Sequence, residues 1–224
     1  MKTRLWGMLI TCILLIPLKV AANTVAVDFT STQNWSFGAG LTIGWGFTVS
    51  QPLIVDQLGY YDHEQDGFVF DHEVGLFRVS DMSLLTSGVV TDASTLDGLF
   101  RYTNVASVVI NPGETYYVAG YDPAFCAGGL NPCGPTPDPH DRVGNPPYAD
   151  LGFAPQITFD GWHNESSPSL QFTTYIPDIG PWANSDGPLI VANLKFSPVP
   201  VPAAVWLFGS GLIGLIGIAR RKKV

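Results

Sequence analysis

Short apolar runs, many of them alternating with polar residues, recur along the middle of the chain. Each run is bounded by Gly, Pro, Asp or Asn, which favour turns. Outside the two ends, no eleven-residue window shows convincing helical periodicity. The pattern therefore predicts ten β-strands, at residues 24–30, 42–49, 53–61, 73–79, 83–90, 98–105, 115–121, 156–162, 169–175 and 189–196.

Ten short strands with short connections indicate an all-β fold, an antiparallel β-sandwich of jelly-roll type. The sequence Asn111-Pro112-Gly113-Glu114 predicts a tight turn that leads into the strand at 115–121. Residues 122–150 are rich in Pro, Gly and Asp and are predicted to form a long loop. Ordered loops of this length often carry function.

The N-terminal residues differ from the middle of the chain in being strongly apolar. Lys2 and Arg4 precede an apolar run from Leu5 to Leu18, and small residues follow at 20–22. This order is typical of a secretory signal peptide over residues 1–22, with cleavage after Ala22. An uncleaved N-terminal anchor is the alternative, although the apolar run is short for a bilayer span.

A second apolar run lies at the C terminus. Residues 203–219 carry no charge, and as a helix they would be about 25 Å long, close to the thickness of a hydrocarbon core. A basic cluster follows at once and consists of Arg220, Arg221, Lys222 and Lys223. Such a cluster stays in the cytoplasm and halts export, so the body of the chain is predicted to lie outside.

The short motif Val199-Pro200-Val201-Pro202-Ala203 stands directly before this run. Motif, apolar run and basic cluster together resemble the PEP-CTERM sorting signal of bacteria, in the variant that begins Val-Pro-Leu-Pro-Ala. Val201 replaces the leucine, and the glutamate of the namesake motif is absent.

That resemblance implies recognition by an exosortase, a membrane protease-transpeptidase that removes the helix. The mature protein would then be released, or attached to the cell surface or to an exopolysaccharide matrix, so that the membrane anchor is temporary. An ordinary single-span anchor is the alternative. The expected organisation is a signal peptide at 1–22, a β-sandwich domain at 23–197 and a sorting signal at 198–224.

Removal of both ends changes the charge of the chain. The whole chain has a formal charge of −8. The body, residues 23–202, keeps four basic residues against nineteen acidic ones, or −15. This balance argues against nucleic acid as a partner, because phosphate binding needs clustered Lys and Arg. It suits a soluble extracellular protein that meets divalent cations.

The body contains two cysteines, Cys126 and Cys133, separated by a short stretch rich in glycine. In an exported protein the default expectation is a disulfide, which would close a local loop and stabilise it by roughly 2–3 kcal/mol. A zinc site that adds His140 and His163 is the alternative. It lacks the usual spacing of zinc ligands.

The most concentrated chemistry lies at residues 62–73, where the triplet Asp-His-Glu occurs twice. Flexible loops with several carboxylates suit calcium, and the predicted ligands are Asp62, Glu64, Asp66, Asp71 and Glu73. The alternative is an acidic connection between strands, in which Asp66-Gly67 makes the turn and His72 forms a hydrogen bond within the sandwich. Catalysis is the third option.

Aromatic side chains near loops offer a second type of site. Trp162 and Trp182 flank predicted loops and are candidates for stacking on sugars, and packing against the core is the alternative. No G-x-S-x-G sequence occurs in the body, and the cysteines are expected to be paired, so nucleophilic catalysis has no motif.

Residues 41–121 also resemble a domain of unknown function found in exported bacterial proteins. The shared features are a G-W-x-F strand from Gly44 to Phe47, the sequence Leu58 to Asp62, the Asp66-Gly67 turn and His72 before Val-Gly-Leu. This resemblance implies no activity. The expected function is therefore a non-enzymatic, exported surface or matrix protein with a structural or adhesive role. A carbohydrate- or calcium-binding module and an extracellular hydrolase are the alternatives.

Overall fold

The computed structural model describes residues 23–35, 40–68, 70–122, 143–173 and 189–200, and in these ranges the chain is built from β-strands. The strands are β1 (Thr24–Val25), β2 (Val27–Asp28), β3 (Ser31–Trp35), β4 (Leu41–Val49), β5 (Leu53–Tyr61), β6 (His72–Arg78), β7 (Ser83–Val90), β8 (Thr95–Asp97), β9 (Phe100–Ile110), β10 (Tyr116–Asp122), β11 (Val143–Ala149), β12 (Gly152–Phe153), β13 (Ile157–Ser166) and β14 (Ala192–Pro198). A 3-10 turn, His63–Gln65, is the only helical element among the described residues. The predicted all-β class is confirmed there.

Two five-stranded sheets form the body. The strand order is β1-β14-β5-β9-β8 in the first sheet and β13-β4-β10-β6-β7 in the second. Two short pairs, β11 with β3 and β12 with β2, complete the described strands, and every pairing between them is antiparallel. The antiparallel arrangement predicted from the short connections is confirmed.

One buried apolar cluster joins the inner faces of the two sheets. Trp45 and Phe47 of β4 enter it from the second sheet, and Leu194 and Phe196 of β14 enter it from the first. The indole Nε1–H of Trp45 donates a hydrogen bond of 2.8 Å to the carbonyl oxygen of Ala192. The polar atom of this buried ring is therefore satisfied by a strand of the opposite sheet, which fixes the two sheets against each other.

The G-W-x-F sequence shows why a central strand needs a small residue here. Gly44 faces away from the main core, where a Cβ atom would lie only 2.6 Å from the ring of Tyr117. Phe172 packs edge-on against that ring and against Phe77, forming a smaller apolar cluster on the outer face of the second sheet. Residues 167–173, which we call the covering segment, thus shield this face from water.

Comparison with the predicted strands shows where periodicity failed. Nine of the ten predicted runs contain strands. The prediction for 169–175 is wrong over its described part, because residues 169–173 lie across a sheet face rather than in a ladder. The long loop predicted at 122–150 is wrong in part, because β11 occupies Val143–Ala149 and pairs with β3.

The strand directions give the body two distinct ends. One end, here called the terminal end, contains the first strand residues after 23, the last residues of β14 and the turns 50–52, 79–82 and 111–115. The opposite end, the loop end, contains connections 62–71 and 91–94. The acidic residues singled out in the sequence therefore lie at the end opposite the chain termini of the body.

Candidate functional site

The acidic connection at the loop end joins β5 of the first sheet to β6 of the second. Its first residue, Asp62, is fully buried. Asp62 Oδ2 accepts a hydrogen bond from Arg101 Nε at 2.6 Å, and Asp62 Oδ1 accepts one from the Gly67 N–H at 3.2 Å. The carboxylate is thus held by a guanidinium and by the backbone of its own turn.

Arg101 extends this contact to a neighbouring connection. Its Nη1 donates to the carbonyl oxygens of Asp92 at 2.7 Å and Ser94 at 3.2 Å. Gly67 has φ +100°, and a Cβ atom there would overlap the Asp92 carboxylate. One buried ion pair therefore ties the 62–67 turn to the 91–94 connection, and only glycine fits where the two meet.

The other carboxylates of the predicted calcium site lie at the surface of the body. Glu64, Asp66, Asp71 and Glu73 are exposed, and Glu64 has φ +62°, which places it in the left-handed region. Glu73 Oε2 accepts a hydrogen bond of 3.1 Å from the Leu170 N–H and so holds the covering segment. These four acids do not share the burial of Asp62.

His72 belongs to the core rather than to the exposed acids. Its ring is fully buried and stacks on Tyr60 with 3.7 Å between ring centroids and 12° between planes. Phe68 approaches the edge of the same ring. His72 Nδ1 lies 3.1 Å from the carbonyl oxygen of Tyr121, which can only accept, so Nδ1 carries the proton.

Tyr61 responds to the charges around this turn. Burial, followed by the negative charges of Asp62 and Glu64, raises the pKa of Tyr61 to about 12. Its hydroxyl lies 3.3 Å from His63 Nδ1. The phenol is therefore neutral throughout the physiological range and serves as a hydrogen-bonding group rather than a base.

Calcium at this loop stays a prediction, with a smaller set of ligands. Asp62 is fully buried and paired with Arg101, so its use as a metal ligand would break this ion pair. Across the described ranges, no group of three or more His, Cys, Asp or Glu side chains is arranged to hold a metal ion. Any ligand set would have to come from the exposed acids.

Of the two candidate tryptophans, the structure describes Trp162. It is half-buried, lies on β13 opposite Trp45 of β4, and packs against the main core. A bulge between Phe159 and Gly161 sets its position, and Gly161 has φ +134°. Sugar stacking at Trp162 would use only the exposed part of the ring and stays a prediction.

Several predicted features lie outside the described residues. These are the signal peptide at 1–22, the cysteines Cys126 and Cys133, Trp182, the motif residues Val201, Pro202 and Ala203, and the basic cluster at 220–223. Val199 and Pro200 are described and follow β14 directly. In the described part of the chain, no helix has the length and apolarity needed to cross a bilayer.

Arg101 was not among the residues predicted for this region. A signal was available, because Arg101 is one of only four basic residues in the body and lies in a strand. A charged side chain that is mostly buried within a sheet is expected to have a partner of opposite charge, and here that partner is Asp62. The covering segment was missed as well, since it was predicted to be a strand.

Comparisons with known proteins add no family to this description. No protein-family model matches the chain, and no curated protein matches it.

Proposed function

We propose that the chain is the precursor of an exported, non-enzymatic protein of the bacterial cell surface or extracellular matrix, sorted by an exosortase-like membrane enzyme. The observation that carries this proposal is the order of signals after β14. The strand ends at Pro198, and the motif at 199–203, the uncharged run to residue 219 and the basic cluster follow without interruption. A folded body followed by a short motif and a removable apolar run has the logic of a temporary anchor.

For the body we propose a sandwich of jelly-roll type. Four connections, 50–52, 62–71, 91–94 and 111–115, each carry the chain from one five-stranded sheet to the other. Each sheet therefore mixes strands from distant parts of the sequence, as in double-sheet folds with crossing connections. This arrangement supports one domain, with a core shared by both sheets.

The use of the buried polar groups supports a structural or adhesive role. Asp62, Arg101 and His72 each hold a turn, a connection or an aromatic stack. A general acid or nucleophile needs a side chain that faces a substrate, and these side chains face other parts of the fold. The acidic surface of the body suits a protein that stays soluble outside the cell.

Cell fractionation tests the proposal. The full chain and a variant with Pro200→Ala and Pro202→Ala would be expressed in a bacterium that has an exosortase. A second variant, Asp71→Ala, is the control for a change in the body. We expect the parent and the control to appear as a shortened form at the surface or in the medium, and the motif variant to stay full-length in the membrane. Retention of all three chains at full length in the membrane would contradict the proposal and favour a single-span anchor.

A further inference from the structure

The two ends of the folded body lie side by side. β1 pairs with β14 in antiparallel register, with Thr24 opposite Phe196 and Val25 opposite Lys195. The residue that follows the predicted leader is thus adjacent to the residues that precede the tail. Asn23 is also tied to the first sheet, because its Nδ2 donates to Asp56 Oδ1 at 2.9 Å.

The tail leaves the body with almost no spacer. The Val199 N–H donates a hydrogen bond of 3.4 Å to the carbonyl oxygen of Pro52, so the chain is still in contact with the terminal end at this residue. The residues from 199 to 202 extend over at most about 14 Å before the uncharged run begins. A nine-residue strand such as β5 spans about 30 Å, so the loop end lies well beyond that reach.

Charge distinguishes the two ends. The connections and strand ends at 62–73 and 91–101 contain seven acidic residues, of which Asp62 is paired with Arg101 and Asp97 with Lys195, so acidic residues outnumber these two basic partners by five. The turns at 50–52, 79–82 and 111–115 contain two acidic residues, Asp81 and Glu114, and Asp81 pairs at 2.7 Å with Arg78, the last residue of β6. Large apolar side chains are exposed at both ends and do not discriminate between them. An anionic lipid surface therefore repels the loop end far more than the terminal end.

We infer that the membrane-bound precursor rests with its terminal end, formed by the turns 50–52, 79–82 and 111–115, against the anionic phospholipid surface, and with its acidic loop end pointing away. This inference rests on the proposed function, because it needs the tail in a membrane. Its consequence is that the 62–73 connection is the part of the body presented to the surroundings while the protein is attached.

Two residues offer a matched pair of probes. Met82 lies in a turn of the terminal end and Glu64 in the turn of the loop end, and both are exposed with positive φ, 57° and 62°. The full chain, with Cys12, Cys126 and Cys133 replaced by Ser, would carry Met82→Cys or Glu64→Cys with a fluorophore. It would be reconstituted into vesicles of phosphatidylglycerol and phosphatidylethanolamine that contain a headgroup-linked quencher.

We expect quenching at residue 82 to exceed quenching at residue 64 by at least about threefold, because the probes are separated by nearly the length of the strands. Equal quenching, or stronger quenching at residue 64, would overturn the inference. The fluorophore at residue 82 could instead be shielded from solvent only when the processing enzyme is present, without quenching by the lipid. That result would also overturn the inference, because a protein would then cover this end. Gln51→Cys and Asp71→Cys form a second exposed pair if a turn variant does not fold.

Failure of the chain to associate with vesicles would instead contradict the proposed function. Association without a difference between the probes would contradict only the orientation.

Discussion

The two Asp-His-Glu triplets are spelled identically, yet the fold buries a different member of each. In the first triplet Asp62 is fully buried and paired with Arg101, and Glu64 is exposed. In the second, His72 is fully buried against Tyr60, and both acids are exposed.

The phase of the neighbouring strand explains this difference. Side chains two residues apart in a strand point to the same face. Asp62 lies two residues after the inward-facing Tyr60, so it continues that face at the end of β5. His72 lies two residues before the inward-facing Val74 and opens the inner face of β6. The same three letters therefore have different surroundings because they enter the strands in different phase.

The aspartates are expected to differ most. Asp62→Ala leaves the Arg101 guanidinium without its carboxylate and should lower the free energy of unfolding by about 4 kcal/mol. Asp71 is the exposed aspartate at the same position of the second triplet, and Asp71→Ala should change the free energy of unfolding by less than about 0.5 kcal/mol. Urea unfolding of both variants measures the difference. Similar values would show that the ion pair does not stabilise the turn.

For the histidines we expect the opposite order, with the larger loss of stability in the second triplet. His72→Ala removes a buried ring stacked on Tyr60 and should cost about 3 kcal/mol through the cavity it leaves. His63→Ala at the edge of the turn should cost about 1 kcal/mol or less. Thermal unfolding of the two variants is the measurement. The phase explanation fails if His63→Ala proves the more damaging change.

Tyr61 directly precedes the first triplet, and its ionisation should lower the stability of the fold at alkaline pH. Its pKa is raised from the ordinary value of 10.0 to about 12 in the folded state. A tyrosine whose pKa is higher in the folded state than in the unfolded state contributes stability at pH values below its unfolded-state pKa. This contribution is lost as the pH rises through the folded-state pKa. The free energy of unfolding should therefore fall between pH 10 and 12. The variant Tyr61→Phe should lose stability less steeply in this window, and an unchanged pH slope would contradict the assignment.

The glutamates are expected to differ least. Glu73→Ala removes the acceptor for the Leu170 N–H and should lower the free energy of unfolding by about 1 kcal/mol. Glu64→Ala should have an effect within about 0.5 kcal/mol. Hydrogen exchange at the Leu170 amide gives a local measurement, and it should become faster in Glu73→Ala only. Faster exchange in both variants would indicate a general loosening instead.

Most of the strands were predictable because their apolar residues alternate or run continuously between turn residues. The covering segment was mistaken for a strand because Leu170 and Phe172 have the spacing of a strand face. They fill the space above Gly75 and Tyr117 instead, and a period of two does not reveal which surface it faces. The pairing of β11 with β3 joins residues more than a hundred positions apart, which no local pattern predicts.

The candidate site was predictable only in part. The alternative prediction for 62–73 was a strand end, a turn and the start of the next strand. It matches the end of β5 at Tyr61 and the start of β6 at His72. The partner of Asp62 was not predicted, because Arg101 lies 39 positions away and arrives by pairing of β5 with β9. Composition identifies acidic residues, whereas the fold decides which of them is neutralised.

The intact mass of the mature protein, isolated from the surface or medium of its natural host, distinguishes a removable from a permanent anchor. We expect a chain that begins at Asn23 and lacks the apolar run at 203–219. A mature protein that retains this run and the basic cluster at 220–223 would contradict processing by an exosortase-like enzyme and identify a permanent anchor.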